Sequence, residues 1–307
     1  MELLKKLCSI HAPSGSEHPM TEFLLDYIHM SKPSWKVEPQ VFSDGEFHDN
    51  IILIFGKPRT AIFAHIDSIG FTVRYDNQLV KIGGPAIRKG TKLVGNDNCG
   101  NIECEIRISE DAEGGQYLSA LCERSIERGT SLTFKPDFRE DETHVQCCYL
   151  DNRLGVWSAL RVAETLENGA IVFSTREEHG GGSTAFIGKF LYEKFQIRQA
   201  LISDITWVTE GVSSGKGVVV SLRDSGLPRR KYLDRILHLA GQSDIPFQIE
   251  VEGSGGSDGN ELQRSSSPWE WCFIGAPEEN VHSPNEKVHK DDIRGMVDMY
   301  RHLMKHM

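Results

Sequence analysis

The chain has 307 residues, with 34 Lys and Arg against 44 Asp and Glu, a formal charge of −10. Hydrophobic residues at 39% and charged residues at 25% fit a soluble globular protein and argue against disorder. The length admits one large α/β domain or a core domain carrying a smaller one. The acidic balance, without any Lys/Arg-rich run, excludes nucleic acid as an expected partner, because phosphate binding needs clustered basic side chains.

Leu3, Leu4 and Leu7 fall at helical spacing, and that helix stops near His11-Ala12-Pro13-Ser14-Gly15. A second helix places Met20, Phe23, Leu24, Tyr27 and Ile28 on one face before Pro33. Ile51–Phe55 and Thr60–Ala64 are continuous apolar runs, the pattern of strands buried on both faces of an α/β sheet. From Phe71 to Gln146 the texture changes to short β-like runs separated by Gly or charged turns: Phe71–Val73, Leu79–Ile82, Ile102–Ile108, Tyr117–Leu121, Ser131–Phe134 and Thr143–Val145. With no amphipathic helix among them, they predict a small all-β unit. Alternation then returns, with helices over Asn152–Leu166, Ser183–Phe195, Tyr232–Ala240 and Asp291–His306. Strands are expected near Ala170–Ser174, Gln199–Ser203, Gly217–Leu222, Phe247–Val251 and Glu270–Ile274. The fold class is therefore α/β: a mixed sheet core sandwiched by helices (residues 1–70 and 147–307), interrupted by a β-barrel-like insert (residues 71–146).

The first twenty residues carry no secretory apolar stretch and no segment reaches 18 consecutive apolar residues, so neither export nor a membrane is expected. The seven cysteines, at 8, 99, 104, 122, 147, 148 and 272, form no CxxC array. Scattered thiols fit a reducing compartment, and a cytoplasmic location is expected.

Histidines and carboxylates gather at the ends of the expected buried strands, where ligands of α/β sheets collect. His65-Ile66-Asp67 follows the first such strand; residues two apart on extended backbone share a face, so Asp67 can orient the His65 imidazole. Taken alone, the motif has the plainer reading of a surface His–Asp pair, because His-x-Asp is common by chance. Asp151 in Leu150-Asp151-Asn152-Arg153 has the plainer reading of a helix cap. Glu177 and Glu178 end a buried strand as adjacent like charges, which favours a neutralising cation nearby. Asp204 closes another strand, and His282 lies in the loop Val281-His282-Ser283-Pro284; a turn residue and an ordinary loop histidine are their simpler readings. Together the set offers the mixed N/O ligands that a co-catalytic pair of divalent ions takes.

The order Ala64-His65-Ile66-Asp67-Ser68-Ile69-Gly70-Phe71, Asp151-Asn152-Arg153, Glu177-Glu178, Asp204 and His282-Ser283-Pro284 resembles the co-catalytic metallo-aminopeptidases of metallopeptidase family 42. These are the glutamyl, deblocking and tetrahedral-particle aminopeptidases. Ile82-Gly83-Gly84 and Gly255-Gly256-Ser257-Asp258-Gly259 also fall where that family has counterparts, and the similarity runs along the whole chain. The resemblance implies a zinc-peptidase α/β core with a β insert between the His and Asp ligands. It implies two divalent ions per subunit, zinc first, with cobalt or manganese also suiting the ligands. Asp151, followed by a cis peptide bond, would bridge them; His65 and Asp204 would complete one site, Glu178 and His282 the other. Glu177 would be the general base and Asp67 would orient His65. The implied activity is removal of N-terminal residues from peptides with a free N-terminus, glutamyl residues among them, by a homo-oligomer.

The chain departs from the family pattern at Arg176, at His179-Gly180-Gly181-Gly182, at Thr206-Trp207-Val208-Thr209 and in a short insert. Those changes leave the ligands in place and open the question of substrate preference. Arg223 or Lys216 would suit an acidic N-terminal residue, if either reaches the substrate. Three other readings compete: a related di-zinc carboxypeptidase or deacylase, a glycoside hydrolase using paired carboxylates, and a non-catalytic metal-binding protein. Adjacent glutamates suit the glycosidase poorly, since its two carboxyls must face each other across a sugar.

Overall fold

The computed structural model describes residues 1–110 and 115–307. The chain opens with helices α1 (Glu2–Ser9) and α2 (His18–Ser31), then strands β1 (Gln40–Phe42), β2 (Ile51–Phe55) and β3 (Thr60–His65). Six strands follow: β4 (Gly70–Val73), β5 (Gln78–Ile82), β6 (Lys92–Asp97), β7 (Gly100–Glu110), β8 (Gln116–Leu121) and β9 (Ser131–Phe134). Next come β10 (Arg139–Glu140), β11 (His144–Cys147), helix α3 (Leu150–Ala163), β12 (Gly169–Ser174), α4 (Thr184–Phe195), β13 (Gln199–Trp207) and β14 (Val218–Ser221). The chain ends with α5 (Arg230–Gly241), β15 (Phe247–Glu250), α6 (Asp258–Arg264), β16 (Glu270–Glu279), β17 (Glu286–His289) and α7 (Lys290–His306).

An eleven-stranded mixed sheet runs β1-β2-β12-β3-β13-β16-β17-β11-β10, with β14 on β16 and β15 beyond it. Its centre is parallel: β3 lies between β12 and β13, and β13 pairs in parallel with β16. Every residue of β2, β3 and β12 is buried, because helices cover both faces. Alternate side chains enter opposite cores. Ile51, Leu53, Ile62 and Ile171 join the core that holds Leu4, Leu154 and Met296, while Ile52, Phe63 and Val172 join one with Ile187, Leu191 and Leu262.

Strands β4-β5-β8-β7-β6-β9 close into an antiparallel barrel inserted between β3 and β10. On β7 burial alternates, with Ile102, Cys104 and Ile106 inside and Asn101, Glu103 and Glu105 outside. Two details differ from expectation. Lys92–Asp97 is a barrel strand although its apolar content is only Leu93 and Val94; it is held by the hairpin with β7 and by pairing with β9. Thr143–Val145, expected with the insert, pairs in the large sheet instead, where His144–Cys147 meets Glu286–His289 antiparallel. All seven cysteines are free thiols. No helix among the described residues is long and apolar enough to cross a membrane.

Candidate metal centre

The register of the parallel strands sets the site. Ser174 pairs with His65 and Phe63 with Ile202, so His65, the turn after β12 and Asp204 stand at one level. Asp204 does not close its strand as expected but lies within β13, which pairs with β16 as far as Trp207. Asp151 arrives from the start of α3, where its backbone is non-helical (φ −77°, ψ 104°) and its bond to Asn152 is cis. Asn152 secures that turn: its Nδ2 donates to the Ser203 carbonyl at 2.8 Å and its Oδ1 accepts from Gly155 N at 2.9 Å. A Cβ at Gly155 would lie 2.2 Å from both the Asn152 Oδ1 and the Ser203 carbonyl, so only glycine fits.

His65, Asp151, Glu177, Glu178, Asp204 and His282 converge. His65 Nε2 lies 3.3 Å from Asp151 Oδ1, 3.6 Å from Asp204 Oδ2 and 3.9 Å from Glu177 Oε2. His282 Nε2 lies 3.2 Å from Asp151 Oδ2 and 3.2 Å from Glu178 Oε2. Asp151 thus turns one oxygen to each histidine. Donor atoms of His65, Asp151 and Glu178 all fall within 4.8 Å of one another.

Asp67 is fully buried and organises the cluster from behind. Its Oδ1 sits 3.3 Å from His65 Nδ1, a contact without the alignment of a full hydrogen bond. The two carboxylate oxygens accept the backbone N–H groups of Glu177 and Glu178, each at 3.1 Å, and Ser14 Oγ donates to Oδ2 at 2.5 Å. Asp67 therefore holds the Glu177–Glu178 turn as well as facing His65, which the His-x-Asp spacing alone does not reveal. Arg153, buried, donates from Nη1 to the Ile66 carbonyl. Glu286 accepts from Asp151 N at 3.2 Å. Neither residue carries a signal in the sequence beyond its proximity to a ligand.

The barrel closes one side. Gly83 has φ +67°, and a Cβ there would come within 2.9 Å of the Glu178 carbonyl. A Cβ on Gly84 would lie 3.3 Å from His282 Nδ1, and Ala86 N donates to the His282 carbonyl at 2.8 Å. His179 takes no place in the cluster: its Nδ1 accepts from Gly83 N at 3.1 Å. Arg176 is exposed, in the left-handed region (φ 65°) that bends the chain out of β12.

Burial and mutual proximity set the protonation balance of the cluster. Burial pushes the Glu177 carboxyl well above its ordinary range, and Asp204 and Glu178 add to the shift against the pull of His65. Burial likewise raises Glu178, and it raises Asp204 to about 7 with the help of Asp151. Burial opposes charge on His282, but Asp151 and Glu178 outweigh it and push the imidazole up to about 12. Burial also disfavours the charged form of Asp151, yet His282 and His65 hold its carboxyl below the usual range. Ligation needs neutral imidazole and ionised carboxylate, so a cation bound here would compete with protons for the same donors.

The residues present fit divalent ions. Two ligands bonded at about 2.0–2.1 Å in tetrahedral geometry stand roughly 3.3–3.4 Å apart, close to the 3.2–3.6 Å separations between the imidazole nitrogens and the Asp151, Asp204 and Glu178 oxygens. Glu178 Oε1 is buried with no hydrogen-bond partner among the described residues. Such N/O donor sets suit zinc and its neighbours.

From this cluster an open cavity of about 280 Å³ extends between β13, β14, β16 and the loop after β15. Neither Arg223 nor Lys216 lines it. Arg223 Nε is turned to the carbonyls of Asp224 and Glu252, and Lys216 borders a separate hollow beside Asp291 and Arg294.

A mixed α/β sheet core with a six-stranded antiparallel barrel inserted in it is the fold of the TET peptidases. A TET aminopeptidase from a marine sediment archaeon of the Thaumarchaeota superposes with a TM-score of 0.85 at 18% identity, covering 100% of this chain and 96% of that one. An aminopeptidase from Desulfurococcus kamchatkensis gives 0.84 at 21% identity, covering 100% and 94%. A relative from Acetivibrio thermocellus, provisionally named an aminopeptidase, is 25% identical over 335 residues, spanning 97% of this chain and 96% of the relative. The model of the M42 glutamyl aminopeptidase family matches residues 106–299. The chain belongs to this family of metallo-aminopeptidases, hydrolases of peptide bonds.

Proposed function

We propose that the chain removes N-terminal residues from peptides with a free N-terminus, using two divalent ions per subunit that share Asp151. The observation that carries this reading is the split of the Asp151 carboxylate, Oδ1 at 3.3 Å from His65 and Oδ2 at 3.2 Å from His282. His65 and Asp204 would hold one ion, Glu178 and His282 the other. Bound there, the ions supply Lewis acidity toward the scissile carbonyl and lower the pKa of a water at the site.

Glu177 is the group left beside the cluster without a ligand role. It takes a proton from the attacking water and delivers it to the departing amine, work typically worth about 10²–10⁴-fold. Burial and neighbouring carboxylates hold the Glu177 proton tightly. Cationic charge beside it lowers that hold and frees the carboxylate to act as a base. Asp67 is a positioning residue, fixing the backbone of both glutamates.

The chain is further proposed to act as a homo-oligomer. A structural relative, the TET1 peptidase of Pyrococcus horikoshii, assembles into a tetrahedron or a large octahedral shell.

Hydrolysis of aminoacyl-p-nitroanilides, each offered free and N-acetylated, tests the activity. Cleavage of the free amines alone, abolished by chelator and restored by zinc or cobalt, is expected. Cleavage of the acetylated forms would move the activity to a deacylase or endopeptidase.

A further inference from the structure

The cavity that leaves the metal centre has an unusual wall. Asp224, Glu250 and Glu252 line it together, and none of its described lining residues is Lys or Arg. Two of the three carboxyls are nearly enclosed, Glu250 at 4% exposure and Asp224 at 9%. Burial raises the pKa of each, Arg223 offsets only part of this at Asp224, and no lysine or arginine among the described residues forms an ion pair with either side chain. Arg223 lies close to Asp224 but spends its Nε on backbone carbonyls.

Their placement follows from strand register. Ser221 pairs with Glu250 on one side and with Phe273 on the other, so Glu250, Ser221 and Phe273 form a row across β15, β14 and β16. Glu250 Oε1 then accepts from Thr206 Oγ1 on β13. Thr206 and the metal-cluster residue Asp204 are two apart on that strand and share a face, separated by roughly 6.6 Å along it. Asp224 is held by Gly226 N at 2.6 Å and Ser257 Oγ at 3.3 Å. Phe273 and Trp207 add aromatic surface to the same wall, suited to an apolar stem and to a cation over a ring.

We infer that this cavity receives the side chain of the substrate's N-terminal residue and selects a cationic one, lysine or arginine. The inference rests on the aminopeptidase activity proposed above and departs from the glutamyl preference that the family's description carries. An N-terminal glutamate would bring a fourth carboxylate to Asp224, Glu250 and Glu252, a like-charge placement that discriminates strongly. Glu250 and Asp224 are the principal specificity residues, with Glu252 nearer the mouth.

The test compares kcat/KM of the zinc-loaded enzyme on Lys-, Arg-, Leu- and Glu-p-nitroanilide, for the natural chain and for Glu250→Gln and Glu252→Gln. Lys and Arg are expected to exceed Leu by at least about tenfold and Glu by about a hundredfold or more. Glu250→Gln, which keeps an acceptor for Thr206, should lower the Lys-to-Leu ratio about tenfold, and Glu252→Gln by less. Leu or Glu cleaved as well as Lys, or a Lys-to-Leu ratio unmoved in both variants, would overturn the inference while leaving the aminopeptidase intact. Failure to cleave any of the four substrates would instead count against the aminopeptidase. Calorimetry of lysinamide against norleucinamide on the zinc-loaded natural chain then still decides the pocket: tighter binding of lysinamide supports it, equal binding overturns it.

Discussion

Glu177 and Glu178 are neighbours in sequence with opposite assignments, and geometry separates them. Glu178 Oε2 is 3.2 Å from His282, whereas Glu177 approaches no imidazole closer than 3.9 Å. Glu177→Gln should therefore retain two metals per chain and lose about 10²–10⁴-fold in turnover; elemental analysis beside kinetics checks both halves, and substantial residual turnover would remove Glu177 as base. Asp67→Asn, by contrast, replaces one of the two oxygens that receive the Glu177 and Glu178 amides with an NH₂ group. It should weaken metal retention by about 10–100-fold, as expected for a partner behind a ligand, measurable by chelator competition. At this scale the cluster was readable because its members are His, Asp and Glu gathered near the ends of the apolar runs expected as strands. Glu286, Arg153 and Glu250 were not: Arg153 and Glu286 stand near a ligand in sequence and Glu250 does not, but in none does a local pattern mark a buried charge. Asp224 and Glu250 become meaningful only when β14, β15 and β16 lie side by side.

The strands that carry the cluster are stable because they are buried twice. Phe63 on β3 is fully enclosed and meets Trp269 edge-on at 5.9 Å between ring centroids. Phe63→Ala should cost about 3–5 kcal/mol in unfolding free energy. Urea denaturation of the metal-free chain reads this directly, and a loss below about 1 kcal/mol would mean the site relaxes around the deletion. Continuous apolar runs announced β2, β3 and β12, and 3.6-residue spacing announced α1, α2, α5 and α7. Elements without such patterns escaped. Helix α6 starts in a Gly-rich run and depends on its Ser257 cap, whose Oγ accepts from Gly259 N at 3.2 Å. Strand β17 reads as loop until Glu286–His289 finds β11 and β16.

Across the whole molecule, the insert is both a separate barrel and a wall of the catalytic cleft, through Gly83 and Gly84 against Glu178 and His282. The barrel has its own electrostatic clasp. Asp97 receives Arg124 through two bonds of 2.6 and 2.7 Å, and this pairing, joined by the Glu127 and Cys99 amides, holds its carboxyl down at about 2. A depressed carboxyl stabilises the fold above its ordinary pKa of 3.8 and loses that contribution as pH falls toward about 2. Asp97→Asn should thus lower the melting temperature at neutral pH, and its difference from the natural chain should vanish as pH falls toward about 2. A difference independent of pH would assign the effect to packing. The change of texture near Phe71 revealed the insert from sequence, while the return of Thr143–Val145 to the large sheet depended on a partner strand more than 140 residues away.

The most direct single measurement is the metal content of the natural chain and of Asp151→Asn after zinc loading and desalting, with circular dichroism to confirm that both are folded. Because one carboxylate faces both histidines, the natural chain should hold two ions and the variant should lose both, or nearly so. Retention of two ions by a folded Asp151→Asn chain would contradict a shared carboxylate at this centre.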